Sequence, residues 1–409
     1  MTTRLLMTAD AVGGVWQYAT DLAQALRPHG VETTIAVLGP TDNFPLLFRG
    51  EGETPKASRE RGGHGDVSVG ALPISPTLSP EGERETEIIP TSLPLDWLAD
   101  GPAPVLAAGQ AIADLARDLR ADIVHLNSPT LAAQARFDQP VVAVAHGCIA
   151  TWWRAAHNCD PDPAYRWQAD LMRRGLLAAD ATVAPSRSFA ADLQRTYALP
   201  TVPIAIHNGR HLSSPSPLRG EGRGEELSPT LAACPAAHAF TAGRLWDRVK
   251  NTATLDRVAA LLSVPFRAAG PVTAPHGETV APKHLHLLGN LSAEALSTEL
   301  ASRPVFISAA TFEPFGLAVL EAAQAGCALV LSDIPTFREL WDGAALFVPA
   351  GNDAAIAAGI EELMADPIQR EALGKAARER AARYTPEATA AAMAALYARL
   401  LRTARRAAA

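Results

Sequence analysis

No apolar run in the sequence approaches the roughly 18 residues that a membrane span requires, so an embedded protein is not expected. The opening, MTTRLLMTADAVGG, has too short an apolar stretch for a secretory signal. Cysteine is scarce: Cys148, Cys159, Cys234 and Cys327 are scattered, without CxxC or a histidine-rich partner spacing. That excludes a disulfide framework or a structural zinc site as the organising device and makes the reducing cytoplasm the expected compartment. A basic surplus is also missing. Lys and Arg number 36 against 43 Asp and Glu, a net charge of −7, whereas nucleic-acid binders usually carry a positive excess.

What is present is 409 residues, 48% hydrophobic and 19% charged, a globular composition with length for two or three domains. Two stretches, 46–90 and 212–231, stand apart. They are rich in Pro, Gly, Ser, Glu and Arg and share words in the same order: RGEG at 49–52 and 219–222, then SPTL at 75–78 and 228–231. A structural repeat carries apolar positions at a fixed period. These carry almost none and read as low-complexity insertions; the shared words suggest one mobile DNA element inserted twice in frame, and the other reading is a charged interaction tail.

The rest alternates strand and helix. Leu5–Ala9, TTIAVLG at 33–39, DIVHLN at 122–127, PVVAVAHG at 140–147 and ATVAPS at 181–186 read as buried strands. Val15, Ala19, Leu22 and Leu26 share one helical face, and further helices are predicted near 105–120, 164–179 and 188–196. The second half repeats the plan, with strands predicted at 239–243, 265–269, 285–288, 304–309, 328–332 and 345–348. Helices are predicted at 251–262, 292–302, 315–325, 335–341 and 353–365, the last capped by Asn352, and a final helix starts at Thr385-Pro386. Continuous Val/Ile/Leu strands with helical crossovers mean parallel sheets covered on both faces. The expected fold class is α/β, two doubly wound Rossmann-like domains, with ligands held beyond the carboxyl ends of the strands in the cleft between them.

Four motifs fall on that cleft. Glu313-Pro-Phe-Gly-Leu-Ala-Val-Leu-Glu321 follows a strand and opens a helix. The amides of Phe315, Gly316 and Leu317 are read as first-turn donors for a phosphate oxygen. Glu313 and Glu321 are either a complement to the helix dipole and a residue of a solvated face, or placed to grip two separate groups of hydroxyls on one extended ligand. In AGRLWDRVKN at 242–251, Arg244 and Lys250 are either surface charges or two cations for one diphosphate. Gly13-Gly14 is either a tight packing turn or a point of close backbone approach to a ligand; it is not the GxGxxG fingerprint of a nicotinamide site. His146, ending a strand, is either a structural histidine or a cleft residue. Nearby Trp152 and Trp153 fit sugar stacking or plain packing.

Together the Glu-x7-Glu motif enclosing Pro-Phe-Gly, Arg244 with Lys250, Gly13-Gly14, His146 and the phrase His207-Asn208-Gly209 resemble glycosyltransferase family 4. The resemblance implies a GT-B architecture and a retaining, nucleotide-sugar-dependent enzyme of the hexosyltransferase type. It also implies an acceptor-side domain over 1–208, a linker over 209–235, a donor domain over 236–385 and a helix over 386–409 crossing back to the first domain. By the same resemblance Glu313 holds donor-sugar hydroxyls, Glu321 the ribose, and Arg244, Lys250 and the Phe315–Leu317 amides the diphosphate. Gly14 leaves room beside the diphosphate, and His146 bonds the sugar or acceptor near the reacting carbon. Many members have Pro where His207 stands.

Asp160-Pro161-Asp162 matches the DxD spacing of metal-dependent sugar transferases but reads as a turn. No metal and no other cofactor are expected. The expected partners are a nucleotide-sugar donor and an acceptor of unspecified type, with at most peripheral membrane contact through Arg399, Arg402, Arg405 and Arg406. Two other readings are a non-catalytic nucleotide-sugar-binding protein and a GT-B epimerase or phosphorylase.

Overall fold

The computed structural model describes residues 2–10, 14–39, 86–211 and 238–407. Gly13, Cys234, most of the expected insertion at 46–90, and all of the one at 212–231 lie outside the described residues.

The first sheet comprises β1 (Thr3–Asp10), β2 (Val31–Leu38), β3 (Glu87–Pro90), β4 (Ile123–Leu126), β5 (Val141–Val144), β6 (Ala181–Ala184) and β7 (Ile204–Ala205). All are parallel, in the order β3-β2-β1-β4-β5-β6-β7. The second comprises β8 (Ala239–Ala242), β9 (Phe266–Ala269), β10 (His286–Gly289), β11 (Val305–Ser308), β12 (Leu329–Ser332) and β13 (Leu346–Val348). It too is parallel, ordered β10-β9-β8-β11-β12-β13. The helices are α1 (Gly14–Leu26), α2 (Pro102–Asp118), α3 (Ile149–His157), α4 (Arg166–Ala178), α5 (Arg187–Tyr197) and α6 (Thr252–Ala259), then α7 (Ala293–Ala301), α8 (Leu317–Ala325), α9 (Pro335–Trp341), α10 (Asp353–Ala365), α11 (Pro367–Ala381) and α12 (Pro386–Ala407). Two doubly wound α/β units result, as the strand pattern predicts. No described helix is long and apolar enough to cross a membrane.

Both sheets reverse strand order beside their first strand, at β1/β4 and at β8/β11. Such switch points leave a crevice outside the carboxyl ends, where ligands of open α/β sheets bind. The loops after β1, β4, β8 and β11 are therefore the ones that matter.

The expected insertion 46–90 ends earlier than its composition implies. Ile88 and Ile89 pair with Ile35 and Ala36 in β3, and Pro90 is tolerated because β3 is an edge strand. Two helices were not expected. α11 buries only Gly374, Ala377 and Ala381, residues too small to give an apolar period, and α3 buries only Ala150 and Thr151. Asn352 does cap α10, its side chain accepting the Ala355 amide at 3.0 Å.

The final helix belongs to the first core. Ala390, Met393, Leu396 and Tyr397 of α12 are buried with Tyr18, Leu22 and Leu26 of α1. A cavity replacing Met393, which is fully buried, should cost about 2–4 kcal/mol. Replacing Ile368, 83% exposed on α11, with Ala should stay within about 0.5 kcal/mol. Chemical denaturation of Met393→Ala and Ile368→Ala checks this; equal small losses would mean that α12 is not part of the core.

Candidate active site between the two domains

The loop after β8 and the loop after β11 are zipped together by backbone polarity. The Thr311 amide donates to the Val249 carbonyl at 2.9 Å, and the Asn251 side chain donates to the Ala309 carbonyl at 3.2 Å. This brings the Lys250 ammonium onto the Glu313 carboxylate, a half-buried ion pair joining residues 63 apart in sequence. Arg244 pairs with Asp247 at 2.9 Å and lies over the Trp246 ring at 5.7 Å. Asp247 is buried, and its other oxygen accepts Trp152 Nε1–H at 2.9 Å from α3 of the first domain.

The helix after β11 starts at Leu317, two residues later than the sequence predicts. Gly316 is the reason: its φ of 94° is left-handed, outside the helical range. The first-turn amides without intrahelical partners are thus those of Leu317, Ala318 and Val319. Phe315 falls outside that set, and its ring is buried in the second core. Facing this helix start is Gly14. A Cβ there would lie 3.3 Å from Leu317 Cδ1, so the two domains approach closely here.

Glu321, one turn further along α8, is 5% exposed and paired with Arg210 at 2.6 Å. Burial pushes its carboxyl up from the ordinary value, and Arg210 opposes that rise. Asp21 of α1 is raised by burial as well and is also stabilised by Arg210. Arg210 therefore serves carboxylates of both domains. Sequence reasoning missed it, although it directly follows His207-Asn208-Gly209. That phrase is now explained locally: Asn208 is buried, and a Cβ on Gly209 would lie 1.9 Å from the Thr385 carbonyl oxygen.

His207 takes part in a second interdomain contact. Glu339 of α9 accepts its Nε2–H at 3.0 Å and the amides of Arg187 and Ser188, at the start of α5, at 2.9 and 2.7 Å. Burial alone would raise the Glu339 carboxyl, but the hydrogen bonds from His207 and the two amides outweigh it and hold it below its ordinary value. Ser186 adds a hydrogen bond to the Pro314 carbonyl at 2.7 Å.

His146 lies beyond β5, its Nε2 2.8 Å from Asn127 Oδ1 and its ring edge-on to Tyr18 at 4.5 Å. Asn127 Oδ1 also meets His125 Nε2 at 3.0 Å, and His125 Nδ1 is 2.6 Å from the Tyr397 hydroxyl of α12. Burial lowers His146 to about 3, with His125 adding to the effect, and lowers His125 to about 4. A neutral imidazole of that basicity accepts hydrogen bonds but is a poor general base near neutrality. Trp152 and Trp153 do not form an open platform: Trp153 is already stacked on His157 at 4.3 Å. Asp162 caps a short turn by accepting the Ala164 amide at 2.9 Å, so the Asp160–Asp162 pair is indeed a turn.

Two family models match the chain: Glycosyltransferase Family 4 over residues 12–214 and Glycosyl transferases group 1 over 278–380. The second contains Glu313 and Glu321; Arg244 and Lys250 fall between the two. A comparison with curated proteins found no match. Among solved structures, sucrose-phosphate synthase from Thermosynechococcus elongatus is similar at 17% identity and TM-score 0.71, over 98% of this chain and 100% of that one. A glycosyltransferase from Rickettsia africae is similar at 16% identity and TM-score 0.63, over 98% and 99%. HepE from Anabaena, solved with UDP and glucose, is similar at 15% identity and TM-score 0.66, over 97% and 99%.

His125 and His146 give a pH prediction. Both are held neutral in the fold while the unfolded chain protonates them near 6.5. Unfolding therefore takes up protons, and stability falls as pH drops from about 6.5 towards 4, by about 1.4 kcal/mol per pH unit for each proton. His146→Gln should show a shallower loss of stability over this window. A slope identical to the parent's, measured by denaturation at several pH values, would contradict it.

Proposed function

The chain belongs to glycosyltransferase family 4 and has the GT-B fold; on that footing we propose that it moves a sugar from a nucleotide-diphosphate sugar to an acceptor with retention of anomeric configuration, without a metal. The observation that carries this reading is the opposition of Gly14 to the start of α8, flanked by the Lys250–Glu313 pair.

A sugar–diphosphate bond breaks through an oxocarbenium-like sugar while negative charge grows on the leaving phosphate. Fixed donors aimed at that charge give the largest catalytic contribution. Here they are the Leu317, Ala318 and Val319 amides with the helix dipole behind them, together with Lys250 and Arg244. Each cation starts out held by a carboxylate. When a diphosphate draws Lys250 over, Glu313 is released to accept hydrogen bonds from sugar hydroxyls. Glu321 takes the ribose hydroxyls once Arg210 yields. His146, neutral, accepts a hydroxyl hydrogen near the reacting carbon.

Retention follows from attack on the face the leaving group departs from. The acceptor oxygen bonds to the anomeric carbon as the carbon–oxygen bond to phosphate breaks, and the acceptor proton passes to the departing phosphate oxygen. No protein base is needed, which suits a histidine of such low basicity.

A panel of UDP-, GDP- and ADP-sugars tests the reading, with UDP-sugars first because HepE was solved with UDP-glucose. Nucleotide release with an unchanged anomeric configuration in the product supports it. Epimerised donor, an inverted product or tight binding without turnover would each replace it.

Glu313→Ala should lower kcat about 10²-fold, the cost of misplacing the reacting centre by about 1 Å. The equivalent truncation at Glu321, expected from the motif alone to leave folding intact, would strand Arg210 and cost about 3–5 kcal/mol. Glu321→Gln is the better probe and should mainly raise the donor KM. Steady-state kinetics showing the same defect in Glu313→Ala and Glu321→Gln would refute this division of roles.

A further inference from the structure

Strand β4 carries two polar side chains into an apolar sheet. His125 is fully buried and Asn127, just past the strand end, is 6% exposed. Buried polar groups have partners, and here the partners fix every proton. The Asn127 Nδ2 donates to the Thr8 carbonyl at 2.7 Å. A carbonyl only accepts, so the amide nitrogen must face Thr8 and the amide oxygen must face the histidines. That oxygen in turn only accepts, and it lies 3.0 Å from His125 Nε2 and 2.8 Å from His146 Nε2. Both Nε2 atoms must therefore carry hydrogen, matching the two lone pairs of one amide oxygen.

The Nδ1 atoms of both neutral rings are then bare. At His125, Nδ1 accepts the Tyr397 O–H at 2.6 Å. At His146, a partly exposed residue just past the end of β5, Nδ1 has no hydrogen-bond partner among the described residues.

We propose that Asn127 is a positioning residue: by accepting the Nε2 protons of His125 and His146 together, it locks His146 in the tautomer whose Nδ1 is left open to accept a substrate hydroxyl. The proposal rests on the role given to His146 above and deepens it. Hydrogen bonds run inward from both sides and end on Asn127 Oδ1, with Tyr397 donating to His125 and His125 to Asn127. The last helix thus reaches the candidate site through two side chains. The groups facing His146 are His125 from β4 and Tyr18 from α1, with Tyr397 of α12 behind His125. Tyr18 and Tyr397 are buried, and burial raises both phenols, so neither supplies a charge. Among the described residues, an added carboxylate would be the one negative charge in contact with the ring.

The direct test is nitrogen NMR of the parent enzyme with labelled histidine. His146 should give the Nε2–H tautomer from pH 5.5 to 8; an Nδ1–H signal overturns the proposal whatever the activity. The kinetic test is Asn127→Asp, which puts a carboxylate against both Nε2–H groups. His146 should then titrate inside the range, and kcat should fall about tenfold at pH 7 with a new acid limb, the donor KM changing less. In a His146→Ala background the same substitution should have no further effect on kcat. An additive loss there, without a new limb in the pH profile, would mean that Asn127 serves only the fold. If His146→Ala alone leaves turnover intact, the failure lies with the role given to His146 and not with the tautomer, which the NMR reads independently.

Discussion

A helix start attracts an anion only where its first amides are left without partners and point at open space. At α8 the three residues that lead into the helix leave its first amides, those of Leu317, Ala318 and Val319, without intrahelical partners. Phe315 is anchored in the second core, Gly316 turns the backbone left-handed, and Leu317 begins the helix against Gly14 of the other domain. A residue with a side chain at 316 would meet both strain and contact, since its Cβ would lie 3.2 Å from the Phe337 ring and 3.3 Å from Glu313 Cγ. The same glycine that frees the amides therefore also lets Glu313 pass close beneath the helix start.

Around this point the charges of the cleft are held in internal pairs: Lys250 with Glu313, Arg244 with Asp247, Arg210 with Glu321. The carboxylates Glu313, Asp247 and Glu321, largely out of water, need such partners. Pairing also means that a charged ligand exchanges partners and does not merely add contacts. Asp247 extends the exchange across the cleft, because it holds Arg244 with one oxygen and Trp152 of the first domain with the other.

Much of this was legible in sequence, for identifiable reasons. Strands flanked by helices on both faces show as continuous apolar runs, so β1, β2, β4 and β5 were readable. The Glu313–Glu321 spacing was visible because both residues sit on one short segment. Pairings across long separations left no mark: nothing near Glu321 announces Arg210, and nothing near Gly14 announces Leu317. Asn127 and His125 were hidden differently. The run DIVHLN was read as a strand, and its two polar residues, anomalous in a sheet buried on both faces, were the unused signal. α11 stayed invisible because its buried face consists of glycine and alanine. The helix at 317 was misplaced by two residues because the glycine was read as a helix opener and not as the turn before it.

The contact at Gly209 also sets the mechanics of the molecule. The chain passes between the domains at 209–210 and again at 384–386, and the two passages touch, with the Arg210 amide donating to the Tyr384 carbonyl at 3.3 Å. Bodies joined by one strand can tumble; joined by two strands in backbone contact, they share an axle. The rings of His207 and Phe315 sit against Tyr384 at 5.3 and 5.7 Å, packed round that axle. With the two passages touching at one place and edge-on rings packed round them, a swing of one domain on the other would turn about this point.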